Sequence, residues 1–311
     1  MEKRMGINAV VAAAMLLLVA AAGCNNDKEK EDDGRWHVVE EHTVVSPSEP
    51  AAASNTVVAG GHLARIEAAK VLKIGVRIDS PPFGFVDQSD KDAVPQGFDV
   101  DLGFRIARAL NAQPVFVPVT SKDRIEKLKS GEIDVLIATL TATRKRSHEI
   151  DFSMPYFQDQ QSLLVAAASP IQSYRDLAGK KVGVAAGTTS LDNLKTVAPD
   201  CQTVIVGTNL EAYDKLQKGE VDAITGDGLT LRALNQNNAD PKAFRIAGEG
   251  FSAEPYAIGL PQNDSQFRSR IDEILTELWT SGQWSRVFIK WFGPKTPYNL
   301  ETHFQMPILP P

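Results

Sequence analysis

The chain has 311 residues, 43% hydrophobic and 23% charged, with a formal net charge of −6 at neutral pH. This is the balance of a globular protein long enough for two modest domains. The acidic sum and the lack of a lysine-rich run argue against nucleic acid as a partner. Cys24 and Cys201 stand in unrelated contexts and indicate no disulfide framework. No His or Cys pair has the spacing of a metal site, so neither a metal nor another cofactor is expected.

Residues 1–24 read as a leader: Lys3 and Arg4, an apolar or small run from Ala9 to Ala22, then Gly23 and Cys24. The run is too short to span a bilayer. The small residues before Cys24 resemble a bacterial lipoprotein processing site, although Ala21 stands where such sites usually carry Leu. On that reading Cys24 carries the lipid that holds the protein to the membrane outside the cytoplasm; an ordinary secretory signal is the alternative. Residues 25–64 are acidic, then rich in Ser, Pro and Ala, with no sustained period, and read as a flexible tether.

The folded body is expected from near Leu63. A strand over Leu72–Val76 leads into the loop Arg77–Phe83, whose Pro81 and Pro82 stop the sheet. Gly97–Asp101 opens a helix with Leu102, Ile106, Ala109 and Leu110 at helical spacing, Asp99 or Asp101 near its positive end and Asn111 near its close. A strand over Pro114–Val119, the loop Thr120–Arg124 and a short helix to Lys129, stopped at Gly131, come next. The β-branched run Ile133–Ala138 reads as a buried strand of a parallel sheet. It ends in Thr139, Thr141 and Thr143, followed by Arg144, Lys145 and Arg146. Ligands of open α/β sheets bind beyond the carboxyl ends of strands, where hydroxyls and a guanidinium can grip a small anion. By residue type alone, the same loop reads more readily as a polar loop with solvated charges.

After Tyr156 the pattern restarts. Lys181–Val184 repeats the strand character of Lys73–Val76 and feeds the loop Ala186–Ser190 and a helix from Leu191. Leu216–Ile224 then repeats Leu128–Leu136 almost position for position, each a helix end, a Gly-Glu turn and a strand. Beyond that strand one half places Thr139 and Thr141, the other Asp227. Two lobes of like construction with polar groups at strand ends are what a cleft between domains would need; taken alone, the repeated run is also a common helix-turn-strand junction. A long helix bearing Phe267, Ile271, Leu275 and Leu278, broken at Gly282, and a second bearing Trp284, Phe288 and Trp291 show the spacing of core-facing stripes.

The run Thr141, Arg146 and Asp151–Tyr156 resembles the motif of the periplasmic amino-acid-binding proteins of ABC importers, solute-binding protein family 3, and the likeness extends over roughly residues 70–300. The resemblance implies a two-lobed α/β periplasmic-binding-protein fold of the class II type, each lobe a mainly parallel sheet flanked by helices. Lobe 1 is then 65–157 with 255–293, lobe 2 is 158–254, and 294–311 is a proline-rich tail on the surface; hinge crossings fall near Pro155–Gln161 and Ser252–Tyr256. It further implies that Arg146 takes a ligand α-carboxylate, for which a planar fork suits better than lysine. Thr139 and Thr141 assist, Thr188 and Thr189 close on the carboxylate from the other lobe, and Asp227 takes the α-ammonium.

Thr120–Arg124 and Gly187–Ser190 look most like the glutamate/aspartate-binding branch of that family, where arginines at two loops clasp the side-chain carboxylate, with Arg77, Ser121 and Arg124 in the side-chain pocket; the alternative is that Arg77 and Arg124 are rim charges that steer anions. Three cations, Arg77, Arg124 and Arg146, against Asp227 alone match a guest with two carboxylates and one ammonium, L-glutamate or L-aspartate. The expected protein is a monomeric, lipid-anchored solute-binding component of an ABC importer, with a permease as partner and no catalytic residue. Glutamine or asparagine binding, and a periplasmic prephenate or arogenate dehydratase on the same scaffold, are the alternatives. His148 is expected to be exposed and Cys201 to be at most half-buried.

Overall fold

The computed structural model describes residues 61–86, 94–296 and 298. The leader, Cys24, and the tether up to residue 60 lie outside the described residues. Among the described residues no helix is long and apolar enough to cross a membrane.

Helix α1 (Gly61–Ala69) begins inside the stretch read as tether, because Ile66 packs into the core and Asp264 accepts from the His62 N–H at 2.9 Å. Strand β1 (Val71–Val76) follows, then a small hairpin of β2 (Asp79–Ser80) and β3 (Gly84–Phe85) built within the Arg77–Phe83 loop and just past it. Helix α2 (Phe98–Ala109) buries Leu102, Ile106 and Ala107, while Ala109 is exposed. Asp99 is wholly buried instead of lying at an exposed helix start. Strand β4 (Gln113–Pro118), helix α3 (Arg124–Lys129) and β5 (Val135–Leu136) complete the first βαβ set. Residues 133–140 are all buried, yet only Val135 and Leu136 make ladder pairs with β1. The expected strand is shorter because the chain turns into the left-handed region at Thr139 (φ 45°).

Strand β6 (Asp151–Asp159) leaves the first sheet and β7 (Gln161–Ala166) enters the second. There follow β8 (Lys181–Ala185), α4 (Ser190–Val197), β9 (Gln202–Val206), α5 (Asn209–Gln217), β10 (Ala223–Asp227), α6 (Gly228–Gln236) and β11 (Phe244–Ala247). Strand β12 (Glu254–Leu260) returns to the first sheet, and α7 (Ser265–Thr280) and α8 (Gln283–Phe292) close the body. The sheet orders are β4-β1-β5-β12-β6 and β9-β8-β10-β7-β11. Position by position the pairings agree in sense: parallel, parallel, antiparallel, antiparallel. The first sheet keeps residues 158–159 and Glu254, since Glu254 pairs with Asp159, so both crossings sit a residue or two from the expected borders.

The sequence repeat has a physical counterpart. Asp134 accepts from the Lys73 N–H (2.8 Å) and its own N–H donates to Lys73 O (2.8 Å). Asp222 makes the same pair of bonds with Lys181, at 2.8 and 2.9 Å. One carboxylate per lobe thus ties the helix-turn-strand unit to the opening strand.

The first lobe's core lies between its sheet and α1, α2, α7 and α8, with Phe83, Phe98, Tyr156, Phe157, Trp284 and Phe292 at the centre. In the second, alternation along β7 sends Leu163 and Val165 to one core and Leu164 to another, as expected of a sheet covered on both faces. Of the tail, residues 294–296 and 298 are described; Tyr298 is half-buried against the first-lobe core rather than lying on the surface.

Candidate functional site

The site is assembled at the carboxyl ends of β1, β5, β8 and β10. A β-branched residue with positive φ is an outlier, and such strain is kept only where neighbours over-determine it. At Thr139 that neighbour is Asp99, which accepts from the Thr139 N–H (2.8 Å) and from the Tyr156 hydroxyl (2.8 Å). Burial pushes the Asp99 carboxyl up to about 6, against the pull of those two donors and of Arg124 and Arg77.

Three guanidinium groups meet here, all buried. Arg77 at the end of β1 donates through Nε and Nη2 to the two oxygens of Asp79 (2.6 and 2.8 Å), and through Nη1 to Ser121 Oγ. Arg124, opening α3, donates from Nη1 to Ala138 O (2.6 Å), and its buried Nε has no hydrogen-bond partner among the described residues. Burial, then the charges of Arg146 and Arg77, lower its hold on the proton. Arg146, in a single helical turn after Thr143, donates to Thr141 O (2.8 Å) and, across the cleft, to Gly187 O (3.1 Å). Burial lowers its pKa, opposed by Asp227 and Glu254.

From the second lobe, Gly187 brings its backbone against the first. A Cβ there would stand 2.3 Å from Ser121 O, and its φ of 74° also favours glycine. Thr188 Oγ1 donates to Ala185 O (2.7 Å). Asp227, at the end of β10, accepts from Gln161 Nε2 (2.5 Å) and the Tyr256 hydroxyl (2.7 Å). Burial and then Glu254 push Asp227 up to about 6; burial and then Asp227 push the neighbouring Asp159 up to about 7.

Arg77, Ser121, Arg124, Thr139, Thr141, Thr188, Thr189 and Asp227 line one cavity together with Ser190, Asn209 and Gly226, and Arg146 bridges the lobes beside it. The cavity's free volume is about 10 Å³, near that of a single water, so a larger guest enters only as the lobes part. Arg144, Lys145 and His148 are exposed, and Cys201 is half-buried without a disulfide partner among the described residues. Among those residues no group of three or more His, Cys, Asp or Glu is placed to hold a metal ion.

Two carboxylates escaped the sequence reading. Asp79 lies two residues beyond Arg77, and its proximity was the available signal. Glu254, which stands in the return crossing, accepts from Thr141 Oγ1 (2.7 Å), Thr189 Oγ1 (2.7 Å), Asn193 Nδ2 (2.7 Å) and Ser252 Oγ (2.6 Å). No local pattern marks it. These acids change the charge count. Arg77, Arg124 and Arg146 face Asp79, Asp227 and Glu254, so the excess of positive charge on which a doubly acidic guest was expected is absent. Nor does a neutral guest leave Arg77 unpaired, since Asp79 already holds it.

A cleft between two like α/β lobes, crossed by two strands and lined from both sides by charged and hydroxyl groups, defines a bilobal binder of small polar solutes. The chain belongs to the bacterial extracellular solute-binding proteins, family 3, whose family model matches residues 72–294. It is 34% identical over 233 residues to the ABC transporter glutamine-binding protein GlnH of Bacillus subtilis (strain 168), covering 74% of this chain and 84% of that protein. Identity is 28% to the glutamate/aspartate import solute-binding protein of Salmonella typhimurium, with 80% of this chain and 85% of that protein covered. The structure of an ancestral arginine-binding protein bound to glutamine matches with a TM-score of 0.68 at 36% identity, over 72% of this chain and 98% of that one. The expected tie to the glutamate/aspartate branch thus runs at lower identity than the tie to a glutamine-binding protein.

Proposed function

We propose that the protein is the solute-binding component of an ABC amino-acid importer and that its ligand is glutamine. The observation that carries this reading is the bidentate Arg77–Asp79 pair in a cleft whose remaining cations feel nearby acids, Arg124 that of Asp227 and Arg146 those of Asp227 and Glu254. Such a site favours a zwitterion without further net charge, because an added carboxylate must either displace Asp79 or lie beside it. The glutamine-binding protein of Bacillus subtilis at 34% identity, and the glutamine held by the ancestral arginine-binding protein at 36%, support the same choice.

In this assignment Arg146 takes the α-carboxylate with the backbone N–H groups of Thr188 and Thr189, the hydroxyl protons of Thr141, Thr188 and Thr189 being held by Glu254 and Ala185 O, while Asp227 and the Thr139 carbonyl take the α-ammonium. The side-chain amide lies toward Ser121, Arg124 and the Arg77–Asp79 pair. Since Arg146 belongs to one lobe and Thr188, Thr189 and Asp227 to the other, the ligand stabilises the closed form, which a permease then recognises. Calorimetric titration with Gln, Asn, Glu, Asp and Arg tests the ligand: glutamine binds tightest, and tighter binding of either dicarboxylate overturns the choice.

The dicarboxylate reading retains one observation in its favour, the buried and partnerless Nε of Arg124. Prephenate turnover by the purified protein would instead support the dehydratase reading. Lipid attachment at Cys24 is part of the proposal, supported by the leader's composition. Labelled fatty acid is incorporated by the full chain and lost on Cys24→Ala; label retained by the variant refutes it.

A further inference from the structure

We propose that Asp79 sets the charge selectivity of the cleft: by pairing with Arg77 it turns a cationic pocket end into a dipolar one that accepts a side-chain amide and turns away a side-chain carboxylate. The inference rests on the reading of this cleft as an amino-acid site.

Asp79 opens β2, two residues after Arg77, and the folded loop brings the two side chains together. Both carboxylate oxygens are engaged by Nε and Nη2, the fork geometry in which a guanidinium holds a carboxylate most firmly. The remaining Nη1 is spent on Ser121, which lines the cavity with Arg77. Each nitrogen of Arg77 therefore has a partner within the chain, and its Nε–Nη2 edge, the one that grips Asp79, is not free for a guest carboxylate.

The pair sits at the edge of the cavity, which Arg77 lines. The Asp79 side chain is 16% exposed against 3% for Arg77. Strand β2 packs against α5 of the opposite lobe, whose first residue, Asn209, lines the same cavity. A carboxylate entering between β2 and α5 meets the negative edge of the pair, whereas an amide offers an N–H to Asp79 and an oxygen to Ser121 or to the free Nε of Arg124. Repulsive elements of this kind give specificity even where they add nothing to affinity. Asp79 acts on the guest in two ways, by holding Arg77 and by presenting its own oxygen edge.

The test is Asp79→Asn, which keeps the shape and one acceptor oxygen, titrated calorimetrically with glutamine and with glutamate. The expected result is a fall of about tenfold or more in the ratio of the glutamate Kd to the glutamine Kd. A purely structural role weakens both ligands alike and leaves the ratio where it was; that outcome overturns the proposal. Because Asp79→Asn strands a buried cation and can destabilise the fold, the double variant Arg77→Met/Asp79→Asn is measured in parallel. It has no stranded charge, and its ratio should return to within about threefold of the wild-type value. A double variant that keeps the single variant's gain for glutamate also overturns the proposal. The wild-type ratio judges the glutamine assignment separately. If the parent already prefers glutamate, that assignment fails, and Asp79 is still judged by the change its replacement makes.

Discussion

Replacing Gly187 by alanine tests whether the lobes must meet as closely as the structure draws them. The added Cβ would stand 2.3 Å from Ser121 O and 2.9 Å from Lys122 Cα, both backbone atoms of the opposite lobe. Neither can yield without moving its chain, so relief comes from the lobes parting by about an ångström at that seam, the shortfall from an ordinary contact of about 3.5 Å. That movement also stretches the Arg146 bond to Gly187 O, now 3.1 Å. Overpacking of this kind costs about 1–3 kcal/mol, all of it in the closed form, which corresponds to a loss of ligand affinity of about 5- to 150-fold. The left-handed backbone (φ 74°) adds about 1–2 kcal/mol in open and closed forms alike, so it appears in unfolding and not in binding. Calorimetry with the preferred amino acid and urea denaturation of the ligand-free protein separate the two. Unchanged affinity alongside the expected loss of stability would refute the reasoning, since it would mean that the bound state does not bring Gly187 to Ser121.

Glu254→Gln should destabilise the protein by about 2–4 kcal/mol in urea denaturation, because one amide oxygen replaces a carboxylate that accepts from Thr141, Thr189, Asn193 and Ser252; an unaltered midpoint counts against the cross-lobe contact. Asp99, Asp159 and Asp227 hold protons to higher pH in the folded chain, at about 6, about 7 and about 6, than in the unfolded one at 3.8. Between those limits the folded state binds more protons, so stability falls as pH rises through the window, and Asp159→Asn should flatten the fall when denaturation is compared at about pH 5 and about pH 8. Ligand binding follows the opposite sign: the α-ammonium needs ionised Asp227, so affinity measured by calorimetry should decline as pH drops below about 6. Trp284→Ala should cost about 3–5 kcal/mol in thermal unfolding, given a ring 3% exposed, stacked on Phe288 at 5.2 Å and donating to Tyr156 O at 2.9 Å; a loss under about 1 kcal/mol would contradict its placement in the core.

Much of this architecture was legible because it is written locally. The stripe Phe267, Ile271, Leu275 and Leu278 has the period of a helix that buries one face, and all four are buried. The repeat around Gly131-Glu132 and Gly219-Glu220 pointed to two like lobes, and the paired bonds of Asp134 and Asp222 are its physical content. Eight of the residues singled out as site candidates line one cavity because they follow strand ends, and strand ends can be read from apolar runs. The ninth, Arg146, reaches the cleft by a single turn after Thr143, a geometry that no periodicity announces.

By itself the sequence determined many of the segments that become helices and strands, though not α1 or the β2–β3 hairpin, that the chain folds as two like halves, and which loops carry the polar groups. Those properties depend on spacing and on neighbours a few residues away. Tertiary structure decided the charge of the cleft. Thr141 and Glu254 are 113 residues apart in the chain, and their hydrogen bond exists only because the return crossing lies against the first lobe. Asp99 looks like a helix-start acid until folding buries it behind Thr139 and turns it into the anchor of a strained backbone. Whether a cation is available to a guest depends on which carboxylate has already reached it, and at Arg77 only the folded loop reveals that Asp79 has.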